Sequence, residues 1–435
     1  MTTTAEHTSP ADPTNPEPLQ RLTDGTVKQV NPFTGTEVWT VPGRSNRPLP
    51  QALPAPQHLS SDAHTNTCDF CSDNYIRTTP EKMRLVDGQL HKELLPHDAT
   101  QRPADFRLIG NLFEIVSLDY WKTNYGYQIS DRARAHQERY LADPEGRHHI
   151  RQLINTVWQA HHRCAPSDVP DFTDAQLREA SEPFFGGCHD VVIARRHYID
   201  GATSSDQLCA SGNLTPAEHA DFLTLSILAQ EQLYAENNRA KYVSVFQNWL
   251  RPAGASFDHL HKQLVTIDEL PAKTQRELLR LANNPELYLH YGPRYAHNQH
   301  LVLMENEHAI AYASYGHRYP SLEIYSKHPD LQPWDMDADQ LRGVSDVLHA
   351  CHAATGSAVP VNEEWYTRPR DVSPADATIP WHIVLKWRVN TLAGFEGATG
   401  IYLNTIDPWS LRDKVGPRLH ELASESLIAD GLELN

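Results

Sequence analysis

The chain has 435 residues, and 38 Lys and Arg against 55 Asp and Glu give a net charge of −17 with histidine neutral. This charge argues against a general nucleic-acid or membrane-surface binder, since phosphate backbones require basic surfaces. At about 100–200 residues per domain, the length suits two domains or one large duplicated domain. An apolar share of 40% is enough to form a core, and 25 histidines suggest metal or phosphoryl chemistry.

The distribution of apolar residues and cysteines favours a cytoplasmic protein. The first residues have neither an apolar core nor a leading basic cluster, so no secretory signal is predicted. No stretch approaches 18 apolar residues, so no membrane span is predicted. Six cysteines are too few for a disulfide scaffold. Cys68 and Cys71 form a C-x-x-C pair, which on its own would be read as two free surface thiols.

The N-terminal part combines irregular segments with short strands. Residues 1–24, rich in Thr, Pro and Glu, are predicted to form a disordered arm, and residues 42–60 a Pro-rich irregular segment. Two short strands joined by an Asn-Pro-Phe-Thr-Gly turn are predicted over residues 27–41. Residues 106–117 are a further strand candidate, with Asn111 at its centre.

The middle of the chain alternates helical and strand patterns. Residues 130–180 show an apolar helical rhythm, which predicts a mostly helical insertion or lid. Residues 189–198 are β-branched and predict a strand that runs into a turn. A helix is predicted to start at Pro216, with Thr215 as N-cap and Glu218 completing a capping box.

The same order of elements occurs twice. The helix is followed by predicted strands at residues 241–248 and 258–267. In the second half a strand at residues 321–328, a helix after Asp337 and two more strands follow in the same order. Repetition at this spacing indicates an internal duplication far longer than a solenoid repeat. We therefore predict an α+β fold with two related halves built on antiparallel sheets.

The run from Asn248 to Gln263 carries the most chemical information. Side chains alternate along a strand, so His259, His261 and Gln263 are predicted to share one face. In such a row one imidazole can bind metal while the next attacks phosphorus.

Two small residues precede these histidines. Gly254 can hold phosphate oxygens through a close backbone approach, and Ser256 through its hydroxyl group. The alternative interpretation of an isolated H-x-H is a half-buried strand with two hydrogen-bonded histidines. The asparagine, glycine, serine and glutamine at fixed offsets favour phosphoryl chemistry instead.

Four stretches of the chain share a known pattern. They are Asn31-Pro-Phe-Thr-Gly35 with Arg44-Ser-Asn-Arg47-Pro48, Cys68-Asp-Phe-Cys71, Val191 to His197, and Asn248 to Gln263. Together they resemble the galactose-1-phosphate uridylyltransferase family of the histidine-triad superfamily. The resemblance covers about residues 28–415 and is looser in the C-terminal half. It implies two histidine-triad-like halves, residues 25–265 with zinc and the nucleophile, and residues 266–435.

The resemblance implies a zinc site. Its ligands would form a Cys2His2 set that suits tetrahedral Zn(II), and protein ligands would fill all four positions, so the ion would be structural. His189 is an alternative to the third of these ligands. The implied ligands are Cys68, Cys71, His197 and His259.

The resemblance also implies a reaction and its residues. His261 would be the nucleophile, and Gln263 would hydrogen-bond the phosphoryl group. A ping-pong exchange would then move a nucleoside monophosphate, UMP in the family, between a nucleotide-sugar and a sugar 1-phosphate. The family also implies galactose metabolism and a homodimer. The implied substrate-binding residues are Arg44, Arg47, Asn111, Asn248, Gly254 and Ser256, although both arginines could be ordinary surface residues.

Departures from the family pattern leave the substrates open. Leu112 stands where an aspartate that binds ribose is usual, and Val384 and Lys386 replace an H-x-H of a second metal site. A second metal is therefore not predicted. Two alternatives to sugar-phosphate exchange remain. One is a phosphorylase or hydrolase of nucleotide-sugars or dinucleotides, and the other is a catalytically silent, zinc-stabilised protein that binds nucleotides.

Overall fold

The computed structural model describes residues 17–43, 55–373 and 377–435. Its strands, in chain order, are β1 (Leu19–Arg21), β2 (Val27–Val30), β3 (Glu37–Thr40), β4 (Glu81–Val86), β5 (Gln89–Lys92), β6 (Phe106–Gly110), β7 (His189–Ala194), β8 (Tyr242–Trp249), β9 (His261–Ile267), β10 (Val302–Glu305), β11 (Ala309–Ser314), β12 (Ser321–Ser326), β13 (Val361–Tyr366), β14 (His382–Trp387), β15 (Ile401–Leu403) and β16 (Glu433–Leu434).

Helices connect these strands. They are α1 (Ala63–Asn66), α2 (Pro96–Gln101), α3 (Leu118–Tyr125), α4 (Asp131–Ala142), α5 (Pro144–His162), α6 (Asp174–Gly186), α7 (Pro216–Glu236), α8 (Ala272–Asn283), α9 (Leu287–Tyr291), α10 (Pro293–Asn298), α11 (Ala338–Thr355), α12 (Gly394–Thr399) and α13 (Pro408–Ser424). No helix in these described ranges is both long enough and apolar enough to cross a membrane.

One large antiparallel sheet shows the duplication. Its twelve strands run in the order β16-β10-β11-β12-β14-β13-β8-β9-β7-β6-β4-β5. The first half reads β4-β6-β7-β9-β8 and the second β10-β11-β12-β14-β13, so equivalent strands occupy equivalent places. The two halves meet where β8 pairs with β13. The predicted α+β fold of two related halves is confirmed.

Helices α7 and α11 pack against each other and cover one face of this sheet. The capping box at Thr215 and Glu218 starts α7 as predicted, and Asp337 caps α11. Behind β8 and β9, buried Val245 and Leu264 belong to the same core cluster as Phe222 of α7. Because side chains alternate along a strand, the intervening residues point to the opposite face.

We call this opposite side the front face and define it by His261, Gln263, Asn248 and Asn362. Residues of β8, β9 and β13 at this alternation lie on it, and β13 places Asn362 opposite Asn248. On the second half, this side packs against α8, α9 and the small sheet. That small sheet has the order β1-β2-β3-β15.

Of two predictions about the N-terminal half, the structure confirms one and corrects the other. Residues 130–180 are helical as predicted and form α4, α5 and the start of α6, around a core of their own. Leu19–Arg21, which the composition assigned to a disordered arm, instead form β1 and pair with β2. Leu19 is buried, and this contact anchors the segment. Residues 1–16 of the predicted arm lie outside the described ranges.

Candidate active site and metal centre

Four side chains from three separate stretches converge near the ends of β7 and β9. Cys68 and Cys71 precede a 3-10 helix (Ser72–Arg77), His197 follows β7, and His259 precedes β9. Their donor atoms all lie within 4.8 Å of one another. The fold therefore brings together the four residues that the sequence predicted as metal ligands.

The spacing of these donor atoms fits a tetrahedral ion. The two Sγ atoms are 3.9 Å apart, and the distances from sulfur to the Nδ1 atoms of His197 and His259 are 3.4–3.7 Å. Zinc with bonds of about 2.3 Å to sulfur and about 2.1 Å to nitrogen requires tetrahedral edges of about 3.6–3.8 Å. Three of the four residues are buried. The set suits a closed site with no position left for substrate.

A backbone hydrogen bond prepares His259 for this role. Its Nε2 lies 2.6 Å from the carbonyl oxygen of Ala194 and donates to it. The proton therefore resides on Nε2, and Nδ1 offers its lone pair to the cysteine side of the cluster.

The prediction that His259 shares a strand with His261 is wrong. Strand β9 begins at His261, and His259 lies in a bend before it. The bend turns the His259 ring toward Cys68 and Cys71, whose sulfur atoms it meets at 3.6 and 3.7 Å. Because His259 turns toward these cysteines, its side chain does not follow the alternation of side chains along β9.

His261 is held with one ring nitrogen available. Its side chain is 4% exposed, and its Nδ1 donates to the carbonyl oxygen of His259 at 2.7 Å. Since a carbonyl only accepts, the proton sits on Nδ1 and the lone pair on Nε2. Burial lowers the pKa of His261 to about 4. The imidazole is therefore neutral at pH 7, the state that a nucleophile needs.

Gln263 is oriented by His189, the alternative metal ligand of the sequence analysis. The backbone N–H of Ile115 donates to His189 Nδ1 at 3.1 Å, so the ring proton lies on Nε2. This Nε2 is 3.1 Å from Gln263 Oε1 and donates to it. The carbonyl end of the amide is thus occupied, and its N–H donors remain for a ligand. A metal-ligand role for His189 is therefore wrong.

Asn111 joins the same group from the end of β6. The strand ends at Gly110, so Asn111 follows it and does not lie at its centre as predicted. The Asn111 side chain turns the chain by accepting from the backbone N–H of Phe113 at 2.9 Å. Its Nδ2 lies 3.1 Å from Nε2 of His189. The strand end thereby brings Asn111 beside the residue that orients Gln263.

The predicted phosphate loop lies between β8 and β9. Asn248 is near the end of β8, and a 3-10 turn (Arg251–Ala253) leads to Gly254. Gly254 has φ +92°, a left-handed conformation that favours glycine. Ser256 is exposed in the same loop. The loop thus connects two strands, and its Gly254 and Ser256 are exposed to solvent.

An apolar surface beside His261 was missed by the sequence analysis. Ile109, Val191 and Ile193 form a front-face cluster against which Phe70 packs. The Phe70 ring meets that of His261 edge-on, with centroids 5.1 Å apart. Two features of the sequence could have predicted this surface. They are the run of β-branched residues in β7 and the aromatic residue between the two cysteines.

Arginines extend this surface across the sheet. Arg84 pairs with Arg107, Arg107 with Ile193, and Ile193 with His261 in adjacent strands. Arg107 donates to the carbonyl oxygen of Phe70 at 2.8 Å, which holds the cysteine loop against the sheet. A cleft of about 670 Å³ lies here and is lined by all of these residues except His261. The predicted phosphate ligands Arg44 and Arg47 lie outside the described residues.

The chain is similar in sequence to a plant enzyme and in fold to several solved structures. An ADP-glucose phosphorylase of Arabidopsis thaliana is 26% identical over 231 residues, which cover 51% of this chain and 62% of that protein. The match thus spans less than two thirds of the length of this relative.

The solved structures confirm the fold. A crystal structure of an ADP-glucose phosphorylase from Arabidopsis thaliana with bound ADP-glucose has a TM-score of 0.58 and 17% identity, over 90% of this chain and 98% of that one. A GalT-like protein of the same plant has a TM-score of 0.57 and 18% identity, over 89% and 98%. The resemblance inferred from the motifs therefore holds for the fold of both halves. A family model described as "Domain of unknown function (DUF4921)" matches residues 22–435, and the chain belongs to that family.

Proposed function

We propose that the protein transfers a nucleoside monophosphate from a nucleotide-sugar through a covalent intermediate on His261. The observation that carries this proposal is the neutral, buried imidazole of His261, with Nδ1 tied to His259 and Nε2 left with its lone pair. A structural histidine has no need for a phosphate loop on one side and an oriented amide on the other. The glycine turn at Gly254 and the oriented amide of Gln263 support the proposal.

The first step forms a phosphorus–nitrogen bond. His261 Nε2 attacks the α-phosphorus of the nucleotide-sugar, and the bond from that phosphorus to the bridging oxygen breaks. The oxygen leaves with the bonding electrons as part of a sugar 1-phosphate. A phosphate oxygen of the acceptor then attacks the same phosphorus, and the electrons of the phosphorus–nitrogen bond return to Nε2. The amide of Gln263 donates to a non-bridging oxygen during both steps.

The substrate spans both sides of His261. The apolar surface of Ile109, Val191 and Ile193 under Phe70 suits a nucleobase. Asn111 lies toward that side, whereas Asn248, Gly254 and Ser256 line the phosphate groove, and Arg44 and Arg47 supply positive charge. Zn(II) at the Cys68 cluster would hold the cysteine loop, including Phe70, in place over His261. When bound, the ion supplies structure and takes no part in the bond changes.

The nature of the acceptor separates two candidate functions. With a sugar 1-phosphate as acceptor, the protein exchanges a nucleoside monophosphate, UMP in our primary proposal, between two sugars. With inorganic phosphate it is a phosphorylase, and the sequence relative named ADP-glucose phosphorylase favours this second candidate. Leu112, in place of an aspartate, leaves the choice between uridine and adenosine to experiment. The homodimer and the cytoplasmic location stay predictions.

Trapping the intermediate tests the proposal. The protein is incubated with UDP-glucose or ADP-glucose labelled at the α-phosphate, and acid-labile, alkali-stable protein label is counted. We expect label in the wild type and in His420→Ala, an exposed histidine of α13, and none in His261→Ala. Undiminished label in His261→Ala would overturn the mechanism. Glucose 1-phosphate reverses the first step in either case, so release of the label by a different sugar 1-phosphate, galactose 1-phosphate, indicates exchange, and release by inorganic phosphate indicates phosphorolysis.

A further inference from the structure

A second polar cleft lies on the front face where the two halves meet. Two adjoining cavities of about 490 and 390 Å³ open between β8, β13, β14 and α8. Five residues line both cavities, and we call the combined space the seam cleft. The residues that define it are Lys273, Asn362, Glu364, Tyr366 and Arg388.

The seam cleft is rich in cations. The carboxylate of Glu364 forms ion pairs with Lys386 and Lys273 and accepts a hydrogen bond from the hydroxyl group of Tyr366. Arg276, Arg318 and Arg388 are further cationic groups in the lining. This concentration of positive charge is unusual in a chain with a net charge of −17.

Of the other two carboxyl groups, only that of Glu323 is ionised and offsets part of this charge. Glu323 accepts hydrogen bonds from Ser314, from Tyr312 at 3.1 Å and from His317 at 3.3 Å, so its charge is already satisfied. Burial and the neighbouring Glu323 raise the pKa of Glu277 to about 8, so Glu277 is protonated at pH 7. Five cationic side chains thus face two ionised carboxylates, and the cleft keeps a net positive charge even though burial lowers the pKa of Lys386 to about 7.

Arg388 has an unused donor in this cleft. Its Nη1 donates to Asn362 Oδ1 at 2.6 Å, and its guanidinium lies 4.6 Å from the ring centroid of Tyr319. The Nε of Arg388 is buried and has no hydrogen-bond partner among the described residues. A buried donor without a partner costs free energy. Arg318 stacks over Tyr402 at 5.2 Å and remains exposed beside it.

Hydrogen bonds connect this cleft to the phosphate loop. Asn362 donates to Asn248 Oδ1 and to the carbonyl oxygen of Ala253, both at 2.7 Å. Arg388 thus contacts the phosphate loop through one intervening side chain. Asn248 and Ala253 also line the larger of the two cavities, so the seam cleft adjoins the groove at His261.

We propose that the seam cleft is a second anion site that binds a phosphomonoester. Guanidinium groups present paired donors that match phosphate oxygens. The cleft has room for more than a phosphate ion, and its lining includes the aromatic rings of Tyr366 and His382 beside the arginines. Binding here does not require an adduct on His261, so the inference goes beyond the proposed reaction.

Calorimetric titration of His261→Ala tests this site, since that variant does not turn over the proposed substrates. The probes are inorganic phosphate, glucose 1-phosphate and AMP, each to millimolar concentration. We expect Arg388→Gln and Arg318→Gln each to weaken binding by about tenfold or more. Arg418→Gln, an exposed arginine of α13, is the matched control and should leave binding unchanged.

The three probes distinguish the sources of the phosphate group. Equal binding of all three indicates a site for the phosphate alone, whereas stronger binding of glucose 1-phosphate or of AMP identifies the attached group. No binding of any probe would overturn the proposal, as would equal affinities in Arg388→Gln, Arg318→Gln and the parent protein. Arg318 is exposed, so its variant provides the test even if Arg388→Gln fails to fold.

Discussion

His259 and His261 are separated by one residue, yet a different ring nitrogen carries the free lone pair in each. His259 donates from Nε2 to Ala194 and keeps its Nδ1 lone pair, whereas His261 donates from Nδ1 to the His259 carbonyl and keeps Nε2. Two backbone carbonyls thus set the tautomers, because a carbonyl accepts only from the protonated nitrogen. At the scale of single residues, this is how one short run can contribute both to a candidate metal cluster and to a candidate nucleophile.

His189 is expected to act through Gln263. In His189→Leu the Gln263 amide loses the donor that fixes its carbonyl end, so adduct formation should slow by about 10- to 100-fold with little change in substrate KM. His189→Gln retains an N–H donor and should recover part of the rate. Single-turnover labelling with the nucleotide-sugar measures these rates.

A double-mutant comparison separates orientation from a general structural effect. If His189 works through Gln263, adding His189→Leu to Gln263→Ala should slow adduct formation no further. Additive losses in the double variant would contradict this coupling.

Glu277 should make stability depend on pH. Burial and Glu323 raise its pKa from 4.5 to about 8 in the folded state. Between these values the folded protein binds a proton that the unfolded chain releases, so the free energy of unfolding falls as pH rises. We expect Glu277→Gln to raise that free energy by about 1–3 kcal/mol near pH 9, and by much less near pH 5. Urea unfolding at the two pH values measures the difference, and an equal gain at both would contradict the raised pKa.

Strand β9 contributes important side chains to both faces of the sheet. His261 and Gln263 point to the front, while Lys262 between them is fully buried behind. Lys262 Nζ is 2.6 Å from Glu363 Oε1 of β13, and Glu363 also meets Nε2 of His352 in α11 at 2.7 Å. The element that carries the candidate nucleophile is therefore joined to the second half by a buried ion pair.

Breaking this ion pair should cost stability. Lys262→Met leaves the buried carboxylate of Glu363 without its main cation, and we expect a loss of about 3–5 kcal/mol in the free energy of unfolding. Combining it with Glu363→Gln removes the uncompensated charge and should restore most of that loss. Urea titration of the two variants checks this, and equal stability of the single and double variants would refute the role of charge.

At the scale of the molecule, the Cys68 cluster joins parts of the chain that are far apart in sequence. Cys68 and His259 are 191 residues apart, and the cluster fastens the cysteine loop to the ends of β7 and β9. Phe70 lies inside this loop and contacts the His261 ring. Loss of the metal should therefore affect stability and adduct formation together.

Metal removal tests this role. We expect one zinc ion per chain by elemental analysis, and chelation or Cys71→Ser should lower the thermal midpoint by several degrees and slow labelling of His261. Cys164→Ser, at a half-buried cysteine outside the cluster, is the control and should keep both zinc and label. Full zinc content in Cys71→Ser would show that the ion binds elsewhere.

Local spacing was sufficient for much of this protein. The capping box of α7, the duplicated order of strands and helices, and the four metal ligands were all predicted from the sequence. The first two rest on residues a few positions apart or on a pattern that recurs in both halves, and the metal ligands rest on the resemblance of their motifs to those of a known family. Predictions failed where a distant partner decided the outcome. His259 leaves the strand because it faces Cys68 and Cys71, and Leu19 is ordered because β1 pairs with β2.

The sequence by itself thus determined which residues are candidates for the chemistry, since the spacing within the run from Asn248 to Gln263 singles them out. Only the tertiary structure decided how they are used. The donor for Gln263 comes from a histidine 74 residues away, and the seam cleft exists because β13 pairs with β8. Tautomers, burial and local charge arise from contacts between distant parts of the chain, and no spacing along the sequence encodes those contacts directly.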